Sequence, residues 1–123
     1  MLKVYKNKEF HKWAQKVGLT DIALYDAAAE VNNGIFDANL GGNVYKKRVA
    51  LGSKGKRGGG RTILAFKKNE RLFYIYAFKK GDRANISSRE ERALKELSGV
   101  LLNLSDKQIE KLLKEQKLFL LEI

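Results

Sequence analysis

The sequence contains no cysteine and only one histidine among its 123 residues. The absence of cysteine excludes a disulfide scaffold, a zinc–thiolate site and a thiol nucleophile, and it agrees with a reducing cytoplasm. The single histidine, His11, excludes a site built on a pair of histidines and disfavours a Ser/His/Asp triad. We therefore expect His11 to be an ordinary, half-exposed helix residue, and any acid–base chemistry to come from other residue types.

Long apolar runs are also missing. The chain has no signal-like apolar segment at its start and no stretch of about 18 apolar residues. We therefore expect a soluble, cytoplasmic protein. A length of 123 residues suits one domain, spanning residues 1–123, that buries a core without disulfides.

Acidic residues are missing from the middle of the chain. No Asp or Glu occurs between Asp37 and Glu70, whereas nine of the 25 Lys and Arg residues lie there. The net charge is +11 at pH 7, and this local excess predicts a polyanionic partner such as nucleic acid, or an acidic protein. The densest part is KKRVALGSKGKRGGGR, from Lys46 to Arg61, which we call the basic window. A solvated hairpin tip would have a similar composition, and the glycine spacing does not match a P-loop.

Strand-like runs lie on both sides of the glycines in the basic window. In the first run, the alternation of an extended chain places Lys46 and Arg48 on one surface, with Tyr45 and Val49 facing inward. If the two runs pair as a hairpin, Arg61 returns close to Lys46 and Arg48. The three glycines before Arg61 permit positive φ and close approach of a ligand, which we interpret as space for a phosphate.

Apolar periodicity and capping signals predict four helices. The first two form a helical hairpin, with Asn7 and Thr20 as N-caps and Gly18 after the first helix. The other two begin at capping boxes, one at Ser88-x-x-Glu91, or alternatively Ser87-x-x-Glu90, and one at Ser105-x-x-Gln108. The predicted bounds of the first two are Lys8–Val17 and Asp21 to about Asn32.

Four strands and an extended tail are predicted, with Ile35 to Asn43 as a linker. The run RLFYIYAF is aromatic and β-branched, as buried central strands are, and Tyr74 and Tyr76 are expected to share one face. The tail LFLLEI is expected to add an edge strand or to pack as a terminal clip. The four strands are Leu2–Tyr5, Val44–Leu51, Arg61–Phe66 and Arg71–Phe78, the last of which is RLFYIYAF. These elements predict an α+β fold, in which a small antiparallel sheet packs on the N-terminal helical hairpin and C-terminal helices follow.

The order of motifs resembles the RelE superfamily of toxins from type II toxin–antitoxin systems, and most closely a RelE/HigB-like branch encoded beside helix-turn-helix antitoxins. The likeness extends over nearly the whole chain, and its matching segments include LGGNVYKKRVA, GGGRTILAF, FKKGDRANIS and SREERALKELSGVLLNLS. The resemblance implies a RelE-like fold, a cognate antitoxin as partner, no cofactor, and cleavage of mRNA on the ribosome.

The resemblance also implies roles for individual residues. Two positions depart from the family pattern, since Gly81 stands where well-studied members have an Arg and Ser87 stands where they have a Tyr. Arg83 is the candidate to replace the missing Arg. The implied catalytic residues are Lys46, Arg48, Arg61 and Lys80. The residues expected to bind RNA are Arg83, Lys54, Lys56 and Arg57. The last three lie on a glycine-flanked loop, which is suited to supplying affinity rather than to positioning atoms for catalysis.

Such a site is chemically workable without histidine. RNA supplies its own nucleophile, the 2′-hydroxyl, so the protein has to align it and stabilise a dianionic phosphorane. The arginine fork suits this charge, and a lysine crowded by other cations can serve as a general base. No cluster of His, Asp or Glu near the basic window suggests a metal site.

Three functions remain open at this point. The first is an endoribonuclease toxin that an antitoxin neutralises. The second is a non-catalytic member that binds RNA or its antitoxin, which the departures at Gly81 and Ser87 favour. The third is a gyrase-directed toxin of the ParE type, over which the crowded basic window favours RNA.

Overall fold

The computed structural model describes residues 1–52 and 59–121, and in these ranges the chain forms four helices and six strands. The strands make one sheet in the order β2-β3-β4-β5-β1-β6. None of the helices in the described ranges is long and apolar enough to cross a membrane. The elements are β1 (Lys3–Asn7), α1 (Lys8–Val17), α2 (Asp21–Asn32), β2 (Ala38–Gly41), β3 (Val44–Val49), β4 (Gly60–Lys67), β5 (Arg71–Lys79), α3 (Ser88–Leu102), α4 (Asp106–Lys114) and β6 (Leu118–Leu120).

Helices cover both faces of this sheet. The hairpin of α1 and α2 packs on one face, where Phe10 and Leu24 are buried together with Leu64 and Tyr74. On the other face α3 and α4 pack against alternate residues of the same strands, such as Ile63. The predicted α+β fold and the hairpin on one face of the sheet are confirmed. The sheet is antiparallel except for one pair of strands, since β1 runs parallel to β5.

Local signals in the sequence account for the helix boundaries. The Asn7 side chain accepts a hydrogen bond from the Phe10 N–H at 2.9 Å, and Gly18 ends α1 with φ of 72°. Thr20 caps α2 in the same way. The box that opens α3 is the Ser87 and Glu90 pair, and the predicted box at Ser105 and Gln108 opens α4.

The segment predicted as a linker contains a strand. Within Ile35 to Asn43, the four residues Ala38–Gly41 form β2 and pair with β3 at the sheet edge. The short, polar sequence ANLG gives little strand signal of its own, and its extended backbone is fixed by pairing with β3. The tail does form an edge strand, since β6 pairs antiparallel with β1.

A bulge in the pairing of β4 with β5 changes which side chains share a face. The register shifts between Ile63 and Leu64. Tyr74 therefore lies fully buried under the hairpin, with its hydroxyl donating to the Leu24 carbonyl at 2.6 Å. Tyr76 packs on the opposite face, towards α3. The expectation that the two tyrosines share a face is wrong, because strict alternation does not hold through a bulge.

Candidate active site

The pairing of β3 with β4 brings the basic strand residues together. Arg48 lies directly opposite Arg61, and Lys46 lies opposite Ile63, two residues further along β4. Alternation places Lys46, Arg48 and Arg61 on the sheet face that also carries α3. All three residues line the same cleft.

Lys80 reaches the same place from β5. Gly60 pairs with Lys79, and the next backbone N–H, that of Lys80, donates to the Gly59 carbonyl at 3.1 Å. The end of β5 thus lies beside the start of β4. One cleft of about 370 Å³ is lined by all four residues for which the resemblance implies a catalytic role, together with Asp37, Ala38, Lys47, Phe78, Ala84 and Asn85.

Arg48 is held by the last acid before the basic window. Its Nε lies 3.3 Å from Asp37 Oδ1, and its backbone N–H donates to Asp37 Oδ2 at 2.7 Å. The Asp37 N–H in turn donates to the Lys46 carbonyl at 2.9 Å. Among the described residues that line the cleft, Asp37 carries the only negative charge. Composition gave no sign that this acid belongs to the site.

The two lysines of β3 have different surroundings. Lys46 faces the cleft, and its Nζ donates to the side-chain oxygen of Asn85 at 2.9 Å. The side chain of Lys47 points to the opposite face, is only 4% exposed, and pairs with Glu30 of α2 at 3.0 Å. Lys47 therefore anchors the strand to the hairpin, whereas Lys46 presents its ammonium group to the cleft.

Arg83 lies beside the cleft in a network with α3. Its guanidinium makes two hydrogen bonds to Glu90, at 2.6 and 3.0 Å, and a third to the Tyr76 hydroxyl at 3.0 Å. Its Nε donates to the Asn85 carbonyl at 3.0 Å. The Arg83 bonds and the Ser87 N–H lower the pKa of Glu90 to about 2. Contact between Arg83 and RNA stays a prediction, and the observed bonds hold the loop after β5 in place.

The two departures from the family pattern have ordinary structural surroundings. Gly81 is exposed in the turn after β5. The Ser87 hydroxyl accepts the Glu90 N–H at 3.1 Å and so serves as the cap of α3. Neither residue belongs to the described lining of the cleft.

Gly60 has a packing role that the sequence did not suggest. A Cβ at this position would lie 2.9 Å from Trp13 Cη2 and 3.2 Å from Val49 Cγ2. Its φ lies outside the left-handed region. The space beside Gly60 is therefore filled by the indole of α1 on the hairpin face, while Arg61 points to the cleft on the other face.

The remaining candidates divide into two groups. The predicted RNA-binding residues Lys54, Lys56 and Arg57 lie outside the described residues. His11 lies in a different cleft, with its ring stacked on Phe119 at a centroid distance of 3.8 Å. Its half-buried position agrees with the expectation of a structural helix residue, and burial and the nearby Lys6 lower its pKa.

A comparison with known protein families gives a match over nearly the whole chain. The family described as the RelE toxin of the RelE/RelB toxin–antitoxin system matches residues 2–123. A search of curated proteins finds no match. The family match covers the hairpin, the basic strands and the C-terminal helices described above. The chain therefore belongs to the RelE family of toxins, which act in toxin–antitoxin systems and have an antitoxin as partner.

Proposed function

We propose that this toxin is a metal-independent endoribonuclease that cleaves mRNA on the ribosome and so inhibits translation in the cytoplasm. The observation that supports this most is the cleft itself, which is lined by Lys46 and Arg48 of β3, Arg61 of β4 and Lys80 directly after β5. A concentration of cations on a rigid sheet favours a substrate whose negative charge increases in the transition state.

The reaction we propose is an in-line transfer at phosphorus. The 2′-oxygen of one nucleotide forms a bond to the adjacent phosphorus, and the bond from phosphorus to the 5′-oxygen of the next nucleotide breaks. The products are a 2′,3′-cyclic phosphate and a 5′-hydroxyl. The proton leaves the 2′-hydroxyl for a base, and the 5′-oxygen takes a proton as it departs, so no redox partner is required.

The cleft residues divide between charge stabilisation and proton transfer. Arg48 and Arg61 remain charged and offer forked donors to the phosphorane oxygens. Lys46 and Lys80 are the groups that exchange protons with the two reacting oxygens. Lys54, Lys56 and Arg57 supply affinity for the RNA backbone.

The antitoxin is the second proposed partner. A net charge of +11 attracts cellular RNA indiscriminately, and an anionic segment laid over the cleft would block it. We propose a helix-turn-helix antitoxin with an Asp- and Glu-rich segment that contacts Lys46, Arg48 and Arg61. An antitoxin docked only on Lys8, Lys12 and Lys16, which follow one another at four-residue steps along α1, with the cleft open, would contradict this arrangement.

The test of the function is the loss of Arg61. Arg61→Ala should lower the cleavage rate by about 10²–10³, the usual effect of removing one preorganised donor. Arg61→Lys should restore little, because a point charge does not reproduce the fork. The matched control is Lys68→Ala, which removes an exposed cation in the turn at the opposite end of β4 and β5. Cleavage is followed as new mRNA 5′ ends, with mRNA free and bound to ribosomes.

Other outcomes assign other functions. An Arg61→Ala variant that cleaves as fast as wild type would refute the proposed site. A wild-type protein that binds RNA, cleaves none and does not slow growth would be a non-catalytic member. Induction of the DNA-damage response without new mRNA ends would indicate a gyrase-directed toxin.

A further inference from the structure

The neutral partner of Lys46 is the starting observation. Lys46 Nζ donates to Asn85 Oδ1 at 2.9 Å, and both residues line the cleft. A carboxylate in that place would cancel the ammonium charge, as Asp37 does in part for Arg48. An amide oxygen fixes the direction of the ammonium group and leaves its charge available to a phosphate.

Asn85 is itself fixed from two sides. The same side-chain oxygen accepts the N–H of Ile86 at 2.8 Å, which sets the Asn85 rotamer. Ile86 is 9% exposed and belongs to the core under α3. The Asn85 carbonyl accepts Arg83 Nε at 3.0 Å, and Arg83 is bound to Glu90 by two hydrogen bonds. A continuous chain of bonds therefore runs from the first turn of α3 to the Lys46 ammonium group.

We propose that Asn85 is a positioning residue, which holds the Lys46 ammonium group at one place in the cleft, and that the Arg83–Glu90 pair fixes Asn85 in turn. The proposal rests on the proposed cleavage reaction for its effect on rate. The geometric half, that Asn85 holds Lys46, does not depend on which reaction the cleft performs. Asn85 acts through Lys46 rather than on the substrate, and this separates it from the four cations.

The first test measures the lysine directly. In protein labelled with ¹⁵N, a hydrogen-bonded lysine ammonium group exchanges its protons slowly enough to give a resolved NMR signal. We expect a signal assigned to Lys46 by its absence in Lys46→Met. The signal should be lost in Asn85→Ala and kept in Asn103→Ala, a control that removes an exposed asparagine whose amide donates to the Gly99 carbonyl.

The second test is a double-mutant cycle on cleavage under single-turnover conditions. Asn85→Ala should lower the maximal rate about 10- to 100-fold, because a displaced catalytic group loses its alignment, and should leave the substrate concentration at half-maximal rate nearly unchanged. In the Lys46→Met background the same substitution should change the rate by less than about two-fold, since its effect passes through Lys46. Asn85→Asp keeps both hydrogen bonds, so it should retain the ammonium signal and weaken RNA binding by its added negative charge.

The results that overturn the inference are distinct from those that overturn the function. An unchanged Lys46 signal in folded Asn85→Ala would refute it, as would an equal loss of rate in the Lys46→Met background. Should Asn85→Ala not fold, loss of the ammonium signal in Asn85→Asp would refute it instead. A wild-type protein that cleaves no RNA would refute the proposed function, and the NMR signal, which needs no activity, would still decide whether Asn85 holds Lys46.

Discussion

Gly60 distinguishes two explanations for the glycines that precede Arg61. The sequence predicts that they leave room for a phosphate, whereas in the structure the space beside Gly60 is occupied by the ring of Trp13. Gly60→Ala separates the two explanations. If the glycine serves packing, the substitution lowers stability. If it serves substrate approach, the substitution lowers activity.

The size of the stability effect follows from the contacts. The added methyl would lie 2.9 Å from Trp13 Cη2 and 3.2 Å from Val49 Cγ2, well inside ordinary van der Waals contact. Gly60 is buried, and overpacking of this kind typically costs about 1–3 kcal/mol. Loss of glycine flexibility in the unfolded chain offsets about 0.4–1 kcal/mol of this. We expect a net loss of about 1–2 kcal/mol, which for a chain of this length lowers the Tm by about 4–8 °C.

The assay is thermal and chemical unfolding of the wild type and four variants, namely Gly60→Ala, Gly99→Ala, Trp13→Phe and the Trp13→Phe/Gly60→Ala double variant. Gly99→Ala is the control, because a Cβ there meets no heavy atom within 4 Å and its φ is not left-handed. In the interior of α3 it should raise stability by about 0.5–1 kcal/mol. Trp13→Phe removes the ring atoms nearest Gly60, so adding Gly60→Ala to it should cost clearly less than in wild type.

A contrary result is easily recognised. A Gly60→Ala protein with wild-type Tm and strongly reduced cleavage would show that the backbone at Gly60 approaches the substrate. A cost that is the same with and without Trp13→Phe would show that the indole is not the obstacle. Either result refutes the packing explanation.

Three further predictions concern charge. Replacing Lys54, Lys56 and Arg57 together by Ala should weaken RNA or ribosome binding and reduce its salt dependence, and abolished cleavage with unchanged binding across salt would contradict this. Arg83→Ala should lower the cleavage rate, because Arg83 fixes Asn85, and it also tests the predicted RNA contact, since loss of a direct contact would reduce the salt dependence of binding as well. The pKa of His11 is lowered below 6.5 in the folded protein, so the unfolded chain takes up the proton first. The free energy of unfolding should therefore reach its full value above about pH 6.5 and fall as the pH drops below it. His11→Phe should make the free energy of unfolding less dependent on pH in this range.

Local chemistry explains why the helices were predictable. Caps such as Asn7, Thr20 and Ser105 depend on hydrogen bonds within three residues, so their signal is present in a short window of sequence. The strand Ala38–Gly41 depends instead on pairing with β3, and the bulge after Ile63 depends on the match between β4 and β5. Neither leaves a local pattern, and both were missed.

The residues of the candidate site also fall into those that a local sequence pattern predicts and those that it does not. A hairpin register and the alternation of side chains are enough to place Lys46, Arg48 and Arg61 on one surface, and the structure has them there. Asp37 and Asn85 come from segments outside that hairpin, and their positions depend on how the segment after α2 and the loop after β5 pack. The FKKGDRANIS segment suggested Arg83 as an RNA contact. That segment does not include Glu90, whose carboxylate binds the Arg83 guanidinium in the structure.

The different partners of the cleft cations also indicate how the site remains stable when it is empty. Four cations on one sheet end repel one another, and without compensation this repulsion would oppose folding. Asp37 neutralises part of the charge at Arg48, so under the proposed function RNA has to compete with this carboxylate for the guanidinium. Asn85 orients Lys46 without neutralising it. An acidic antitoxin segment would compete with the same phosphate for the same cations, so a change that strengthens RNA binding in the cleft, such as Asp37→Asn, should strengthen antitoxin binding as well.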